Sequence, residues 1–171
     1  MSGETELLLD LAERVRSRFY GKYRGTVTDV DAATLRIKAK VPAVLGDAES
    51  GWCEPCVPYA GDQVGLFLVP DVGAGVWIEF EGGDVSYPIW AGCYWRTGEL
   101  PSDAKPKVRG LVTAAPHKLL FDDDASEITV TDANDGSVTF DSGGVTTGRG
   151  SQKVTVSDSS VSVDDGAFEV T

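Results

Sequence analysis

One short motif dominates the last third of the sequence and limits what this segment can fold into. Pairs of residues separated by a single residue recur seven times from Leu119 onwards, with Asp, Ser, Thr and Gly between them. A period of two places both members of a pair on one face of a β-strand, and the intervening residues favour turns. Each predicted strand offers only two side chains to a core, so this segment cannot fold alone. The pairs are Leu119/Phe121, Ile128/Val130, Val138/Phe140, Val145/Thr147, Val154/Val156, Val161/Val163 and Phe168/Val170.

Aromatic residues and charge divide the chain into two parts. Residues 1–110 contain all four Trp and all five Tyr, whereas residues 111–171 contain three Phe and no Trp, Tyr, Cys or Met. The first part has 12 Lys and Arg against 16 Asp and Glu, and the second has 3 against 11. An acidic chain without a basic stripe repels phosphate backbones. The sequence therefore predicts a domain with its own core, followed by a core-poor acidic tail, and argues against nucleic acid as a partner.

The N-terminal segment, residues 1–20, has the pattern of an amphipathic helix. Acidic residues lie near its start and basic residues near its end, which suits the helix dipole. The sequence leaves open whether this helix caps the next domain or docks on a neighbouring chain. The residues on its apolar face are Leu7, Leu8, Leu11, Val15 and Phe19.

Residues 21–96 are rich in β signals, and residues 97–110 have the Pro, Gly, Ser and Asp content of a linker. Five strands without helical crossovers predict a small antiparallel barrel, for which the OB-fold is the commonest five-stranded candidate. The tail, residues 111–171, follows. The predicted barrel strands are Tyr23–Val30, Thr34–Lys40, Trp52–Val57, Gly75–Glu81 and Tyr87–Tyr94.

Two groups of residues are candidates for metal binding. Cys53 and Cys56 form a Cys-x-x-Cys motif, but neither a second pair nor a thioredoxin-like context accompanies it, and completing a site would require Cys93 and His117. The acidic runs at residues 122–124 and 132–136 lack the ligand spacing of a calcium-binding loop and are better explained as turns. We therefore predict no metal and no cofactor.

The sequence contains no recognisable enzyme motif. There is no Gly-x-Ser-x-Gly, and the single histidine, His117, has no nucleophile motif near it. The odd number of cysteines and the lack of a signal peptide pattern predict synthesis in a reducing cytoplasm. A protein of this kind is predicted to act as something other than an enzyme.

The four tryptophans of the predicted barrel are candidates for a binding surface. Exposed rings on OB barrels stack on bases or sugars, but the lack of interleaved basic residues here favours core packing or a protein interface. The candidate interface residues are Trp52, Trp77, Trp90 and Trp95.

Several segments together resemble a known family. The order of these segments is similar to that in the OB domain of the gp5/VgrG/gpV family, which includes the phage baseplate assembly protein V type. Members are central spike proteins of contractile phage tails, type VI secretion and related injection particles. Residues 116–123 resemble the family's entry into its β-prism, so the resemblance covers residues 20–171. The barrel segments that carry it are residues 25–30, 35–38, Trp52, 58–61, 70–80 and 83–88.

The resemblance implies a homotrimer whose tails wind together as an intertwined triple-stranded β-helix, or β-prism. Three chains would then supply three apolar faces around one axis and cover one another's strand edges. Seven strands would give a prism about 30 Å long. The implied trimer core consists of Leu119, Phe121, Ile128, Val130, Val138, Phe140, Val145, Val154, Val156, Val161, Val163, Phe168 and Val170.

The resemblance also implies a function and partners. The chain would be a structural spike in the baseplate of a phage tail or phage-tail-like particle, transmitting sheath force to pierce the target envelope and meeting the membrane only transiently. A baseplate hub protein would bind at the barrel end and a separate PAAR-like tip protein at the C-terminal end. The sequence has neither the lysozyme-like insertion of longer relatives nor the metal-binding His-x-His tip of some short spikes. Two alternatives remain open: an OB-fold module that binds glycan or nucleic acid and has an acidic tail, and a spike that delivers an enzyme or binds cell wall.

Overall fold

The computed structural model describes residues 2–164 and 167–170. The chain is mainly β and divides into two compact units, Met1–Gly98 and Glu99–Thr171. The first unit contains the N-terminal helix and a curled sheet. The second unit consists of strands joined by short turns.

The first unit has nine regular elements and one short 3-10 turn at Glu81–Gly83. The helices are α1 (Ser2–Arg16) and α2 (Pro42–Leu45). The strands are β1 (Tyr23–Val30), β2 (Ile37–Lys40), β3 (Glu54–Pro55), β4 (Ala60–Gly61), β5 (Val64–Gly65), β6 (Gly75–Phe80) and β7 (Pro88–Cys93).

Five of these strands form a closed, OB-like barrel. The sheet order is β2-β1-β6-β7-β3, with β3 parallel to β7 and the other pairs antiparallel. An isolated bridge between Ile37 and Cys53 joins the β2 edge to the chain entering β3. Closure removes the free edges that an open sheet of this size would expose. The predicted five-stranded OB-like fold is confirmed, but the expectation that all its strands are antiparallel is wrong for β3, which runs parallel to β7.

The barrel core follows from alternation along its strands. On β6, Val76, Ile78 and Phe80 are buried, because every second side chain of a strand points to the same face. Each of these side chains contributes about 1.5–3 kcal/mol by leaving water. The complete set of buried apolar residues is Val27, Ile37, Ala39, Val41, Cys53, Val76, Ile78, Phe80 and Trp90.

The N-terminal helix is shorter than its apolar pattern predicts. α1 ends at Arg16, and Phe19 packs on the barrel core instead of extending the helical face. The Phe19 N–H donates to the Gly83 carbonyl at 2.8 Å. Gly83 has φ of +77°, and a Cβ there would lie 3.1 Å from the Phe19 nitrogen. This close backbone approach ends the helix and attaches the chain to the barrel.

Two predicted barrel strands are also shorter than expected. β2 begins at Ile37 rather than Thr34, because Leu35 has φ of +56° and cannot continue a strand. The turn before it is closed by Asp31, whose carboxylate accepts the Ala33 N–H at 2.9 Å. β3 is reduced to Glu54–Pro55. The long loop after it contains the two-stranded hairpin β4–β5.

The second unit is one eight-stranded antiparallel meander in which each strand pairs with the next along the chain. Seven of the strands correspond to the seven residue pairs predicted from the sequence. The strands are β8 (Val108–Val112), β9 (Lys118–Asp122), β10 (Glu127–Thr131), β11 (Gly136–Asp141), β12 (Gly144–Arg149), β13 (Gln152–Val156), β14 (Val161–Val163) and β15 (Phe168–Val170).

β8 was not predicted. Its first residues, 108–110, fall in the predicted linker, yet they pair with β9 along the whole strand. The repeat is incomplete here because Arg109 takes the position that an apolar residue holds in the other strands. Gly110 allows β9 to approach closely, since a Cβ there would clash with the Leu120 side chain. The sheet therefore begins before the first apolar pair.

Candidate functional site

The residue pairs of the tail form two continuous rows on one face of the eight-stranded sheet. Ile128 lies opposite Phe121 on one side and Phe140 on the other. Directly opposed residues of antiparallel strands point to the same face, so the pairing propagates across the sheet. We call these two rows the apolar face. The first row is Phe121, Ile128, Phe140, Val145, Val156, Val161 and Val170, and the second is Leu111, Leu119, Val130, Val138, Thr147, Val154, Val163 and Phe168.

The apolar face is poorly covered within one chain. The ring of Phe140, in the middle of the sheet, is 44% exposed, although large aromatic residues contribute most when buried. A contiguous apolar surface of this extent marks an interaction site. Its exposed members are Leu111, Phe121, Ile128, Val130, Phe140, Val145, Val156, Val161, Phe168 and Val170.

From β10 onwards the opposite face of the same strands is polar, whereas on β8 and β9 that face carries Val108, Val112 and Leu120. Its central row is built from hydroxyl side chains, and the hydroxyls of Thr146 and Thr155 lie 3.1 Å apart across neighbouring strands. Threonine combines β-branching, which suits a strand, with a hydroxyl that remains satisfied in water. From β10 onwards, only one face of the sheet is therefore apolar and needs a partner. The row consists of Thr129, Thr139, Thr146, Thr155 and Ser162.

Part of the apolar face is concave. A groove of about 590 Å³ is floored by Leu119, Val130 and Val138, with Asp132 and Arg149 among its lining residues. Small-molecule sites combine an enclosed apolar pocket with a few convergent polar groups. This groove instead follows the second row across several strands, which is the form expected of a surface that receives another polypeptide.

Comparison with known protein families accounts for both units. Residues 23–95 match the type VI secretion system/phage-baseplate injector OB domain. Residues 110–169 match the phage baseplate V C-terminal trimerisation domain. The chain belongs to the phage baseplate V family. A comparison with curated proteins gives no match.

Membership in the baseplate V family explains the uncovered apolar face. The family's trimerisation domain spans β9–β14 and most of β8 and β15, so this chain is a homotrimer and a structural component of a baseplate spike. The trimer therefore contains two further copies of this apolar face. Among the described residues, no helix is long and apolar enough to cross a membrane.

The four tryptophans of the baseplate V barrel lie in different environments. Trp90 is 4% exposed and belongs to the core, which is one of the two environments that the sequence left open, because alternation along β7 turns it inward. Trp77 packs against Tyr94 at 5.1 Å between ring centroids. Trp52 has the Lys38 ammonium 4.7 Å from its ring centroid. Trp95 is 66% exposed. The structure therefore leaves Trp52 and Trp95 as the tryptophans with an open surface.

The barrel also has an exposed apolar segment that the sequence analysis missed. Leu66, Phe67 and Leu68 follow β5, and the Phe67 side chain is 73% exposed. They line a cavity of about 460 Å³ together with Tyr59 and Val57. The sequence signal that could have identified this segment is the run of three consecutive apolar residues in a loop, because loops are ordinarily polar.

The acidic runs of the tail form turns. The Asp132 carboxylate accepts the backbone N–H groups of Asn134 and Gly136 at 2.8 and 2.7 Å. These hydrogen bonds lower the pKa of Asp132 below its ordinary value. Asp122 accepts the N–H groups of Asp124 and Ala125 in the same manner. In the part of the chain that the structure describes, no group of three His, Cys, Asp or Glu residues is arranged to hold a metal ion.

The three cysteines and the histidine are not brought together into a site. Cys53 is buried in the barrel, where burial raises the pKa of its thiol, while Cys56 and Cys93 are exposed, and all three are free thiols. His117 lies in the other unit, at the β8–β9 turn, where its backbone N–H donates to the Thr113 hydroxyl at 3.2 Å. The backbone of His117 therefore helps to close the β8–β9 turn.

Proposed function

We propose that this trimer is the central spike of a contractile injection particle, in which the tails wind into a triple-stranded β-helix that transmits sheath force to the target envelope. The observation that carries the proposal is the division of the tail sheet into one apolar and one polar face. Three such sheets that bury their apolar faces around a common axis give a narrow rod with a dry core and a hydroxyl-covered surface. Its role is mechanical rather than catalytic.

The strand pairing supports a load-bearing rod. Each tail strand is hydrogen-bonded to its neighbours from β8 to β15, so force along the rod is shared by many backbone bonds. The alternative of an OB module with a flexible acidic tail does not account for this continuous pairing.

The barrel end carries surfaces suited to a hub protein. Trp52 and Trp95 and the loop residues Leu66, Phe67 and Leu68 are exposed apolar groups. Aromatic residues are enriched in the centres of protein interfaces. We assign the hub contact to this set. The Trp77 ring is instead contacted within the barrel by the Arg24 guanidinium, which lies 5.6 Å from its ring centroid.

The other end of the sheet suits a separate tip protein of the PAAR type. Among the described strands, β15 pairs with β14 only, which leaves one edge open. Phe168 and Val170 on β15 are more than half exposed. A bound tip would cover an edge that otherwise invites aggregation.

The mechanical role is tested in assembled particles. Phe140→Asp places a charge on the apolar face, whereas Thr139→Asp places the same charge on the polar face of the same strand. We expect particles with Thr139→Asp to contract and permeabilise target envelopes normally. Particles with Phe140→Asp should fail to permeabilise, either because they lack a spike or because the rod collapses on contraction. Equal permeabilisation by both variants would contradict the proposal.

A further inference from the structure

We propose that helix α1 forms a second contact of the trimer, in which the α1 helices of the three chains pack together as a short coiled coil. This inference rests on the trimer and not on the piercing role. It concerns Ser2–Arg16, which lies outside both matched family domains.

The helix has an apolar stripe with coiled-coil spacing. Leu8, Leu11 and Val15 follow one another at intervals of three and four residues, so they lie along one side of the helix. All three are more than half exposed. Leu7 and Ala12 flank the stripe and widen it. A wide apolar stripe is buried more completely between two neighbouring helices than against one.

An isolated helix of this length needs a partner. Helices shorter than about 12–15 residues are marginal in water, and most helical stability in proteins comes from packing of the apolar face. α1 has 15 residues and presents its leucines to solvent. Within the described chain, the apolar face of α1 is therefore not packed, although such packing is the main source of stability for a helix of this length.

The base of the helix is fixed to the barrel. Three residues after the helix ends, Phe19 packs on the core and donates its N–H to Gly83. The Arg18 guanidinium forms an ion pair with the Asp84 carboxylate at 3.0 Å. The helix is therefore held at its C-terminal end and presents its stripe beyond this anchor.

The partners that we propose for the apolar stripe of α1 are the other two chains of the trimer. The tail already joins three chains, so each trimer holds three identical stripes at an effective concentration in the mM range. The stripe is self-complementary under three-fold symmetry, because each helix offers the same residues to both neighbours. Contact between the helices thus adds a second interface to a trimer that the trimerisation domain already forms.

Disulfide trapping in the full-length chain tests this inference. The exposed thiols are first removed by Cys56→Ser and Cys93→Ser, and the buried Cys53 is kept. Leu11→Cys then places a thiol in the stripe, and Leu9→Cys is the matched control, because Leu9 lies on the far side of the helix at 61% exposure against 56% for Leu11. Disulfides require Cα atoms closer than about 7 Å.

We expect mild oxidation of Leu11→Cys to bridge two chains of each trimer at a yield that dilution does not change. Leu9→Cys should remain unbridged under the same conditions. If the two variants cross-link equally, or neither does so, the helices do not meet and the inference is overturned.

Hydrogen exchange provides a second measurement that needs no cysteine. Amides of residues 6–16 should be protected in the trimer, and Leu11→Asp should remove that protection while Leu9→Asp keeps it. Tail amides should stay protected in both variants. Free exchange of the α1 amides in the unmodified trimer would instead assign the stripe to another protein, such as a hub, and would overturn the inference.

Discussion

Val138 lies directly opposite Val130 on the neighbouring tail strand, and both side chains point to the apolar face. The turn between them is closed by Asp132, whose carboxylate accepts two backbone N–H groups. A slip of one residue in this register would exchange the apolar and polar faces of the following strand. The turn therefore preserves the apolar face, through which we propose that the trimer forms.

Truncation of Phe140 should destabilise the trimer through its core. Phe140→Ala removes a ring from each of three chains, at a cost of about 3–5 kcal/mol per buried ring. Thr139→Ala, on the polar face, should change the free energy of unfolding by less than about 0.5 kcal/mol. Thermal unfolding followed by circular dichroism measures both, and similar melting temperatures for the two variants would place Phe140 outside the core.

The Asp132 turn should make tail stability depend on pH. The pKa of Asp132 in the folded chain lies below its ordinary value of 3.8, mainly because Asn134 and Gly136 donate to the carboxylate. The resulting stability is fully present above the ordinary value and is lost as the pH falls through the lowered pKa. Asp132→Asn should flatten this decline.

Thermal unfolding of the tail between about pH 5 and pH 2 measures the effect. Asp158→Asn, which removes one charge from a different tail turn, is the control for the loss of a negative charge. An unchanged slope in Asp132→Asn would show that its hydrogen bonds do not favour the ionised form.

Gly83 should be less tolerant of a side chain than its neighbour. Gly82 and Gly83 both have positive φ, so an alanine at either position has a backbone cost. At Gly83 a Cβ would also press on Phe19, whereas at Gly82 it would meet open space. We expect Gly83→Ala to lower barrel stability by about 1–3 kcal/mol more than Gly82→Ala. Denaturant unfolding of the two variants gives this difference, and equal stabilities would mean that the approach of Phe19 is not close.

Substitutions at two tryptophans should distinguish an effect on barrel stability from an effect on partner binding. Trp90→Ala empties a core position and should cost about 3–5 kcal/mol. Trp95→Ala changes an exposed side chain and should leave stability almost unchanged while it weakens binding to the hub. Denaturant unfolding and a hub pull-down distinguish these outcomes. A Trp95→Ala variant that binds the hub as well as the unmodified chain would remove Trp95 from the proposed contact.

The sequence predicted which tail segments form strands better than it predicted where the sheet begins and which residues lie opposite one another. Seven strands were visible because a period of two determines which residues share a face. β8 was missed because Arg109 interrupts that period, and its pairing depends on a close approach at Gly110 that no pattern reports. Which residues lie opposite one another depends on turn geometry, such as the Asp132 turn, and this is not contained in the apolar pairs.

The barrel illustrates where tertiary contacts override local pattern. Phe19 matches the helical period of residues 7–15, but it packs on barrel residues that are distant from it in the sequence. Trp90 was not separated from the other three tryptophans because residue type alone does not distinguish core from surface. Alternation along β7 was the signal that would have placed it inside. The Leu66–Leu68 loop was overlooked because strand and helix patterns do not describe irregular segments.

Light scattering of the purified chain tests the central claim most directly. The claim is that the apolar face of the tail holds three chains together. The full-length protein should have the mass of three chains, and a chain that lacks residues 119–171 should have the mass of one, since the barrel has its own core and the α1 contact depends on the tail to gather three copies. A full-length monomer, or a trimer that survives removal of the tail, would contradict this account.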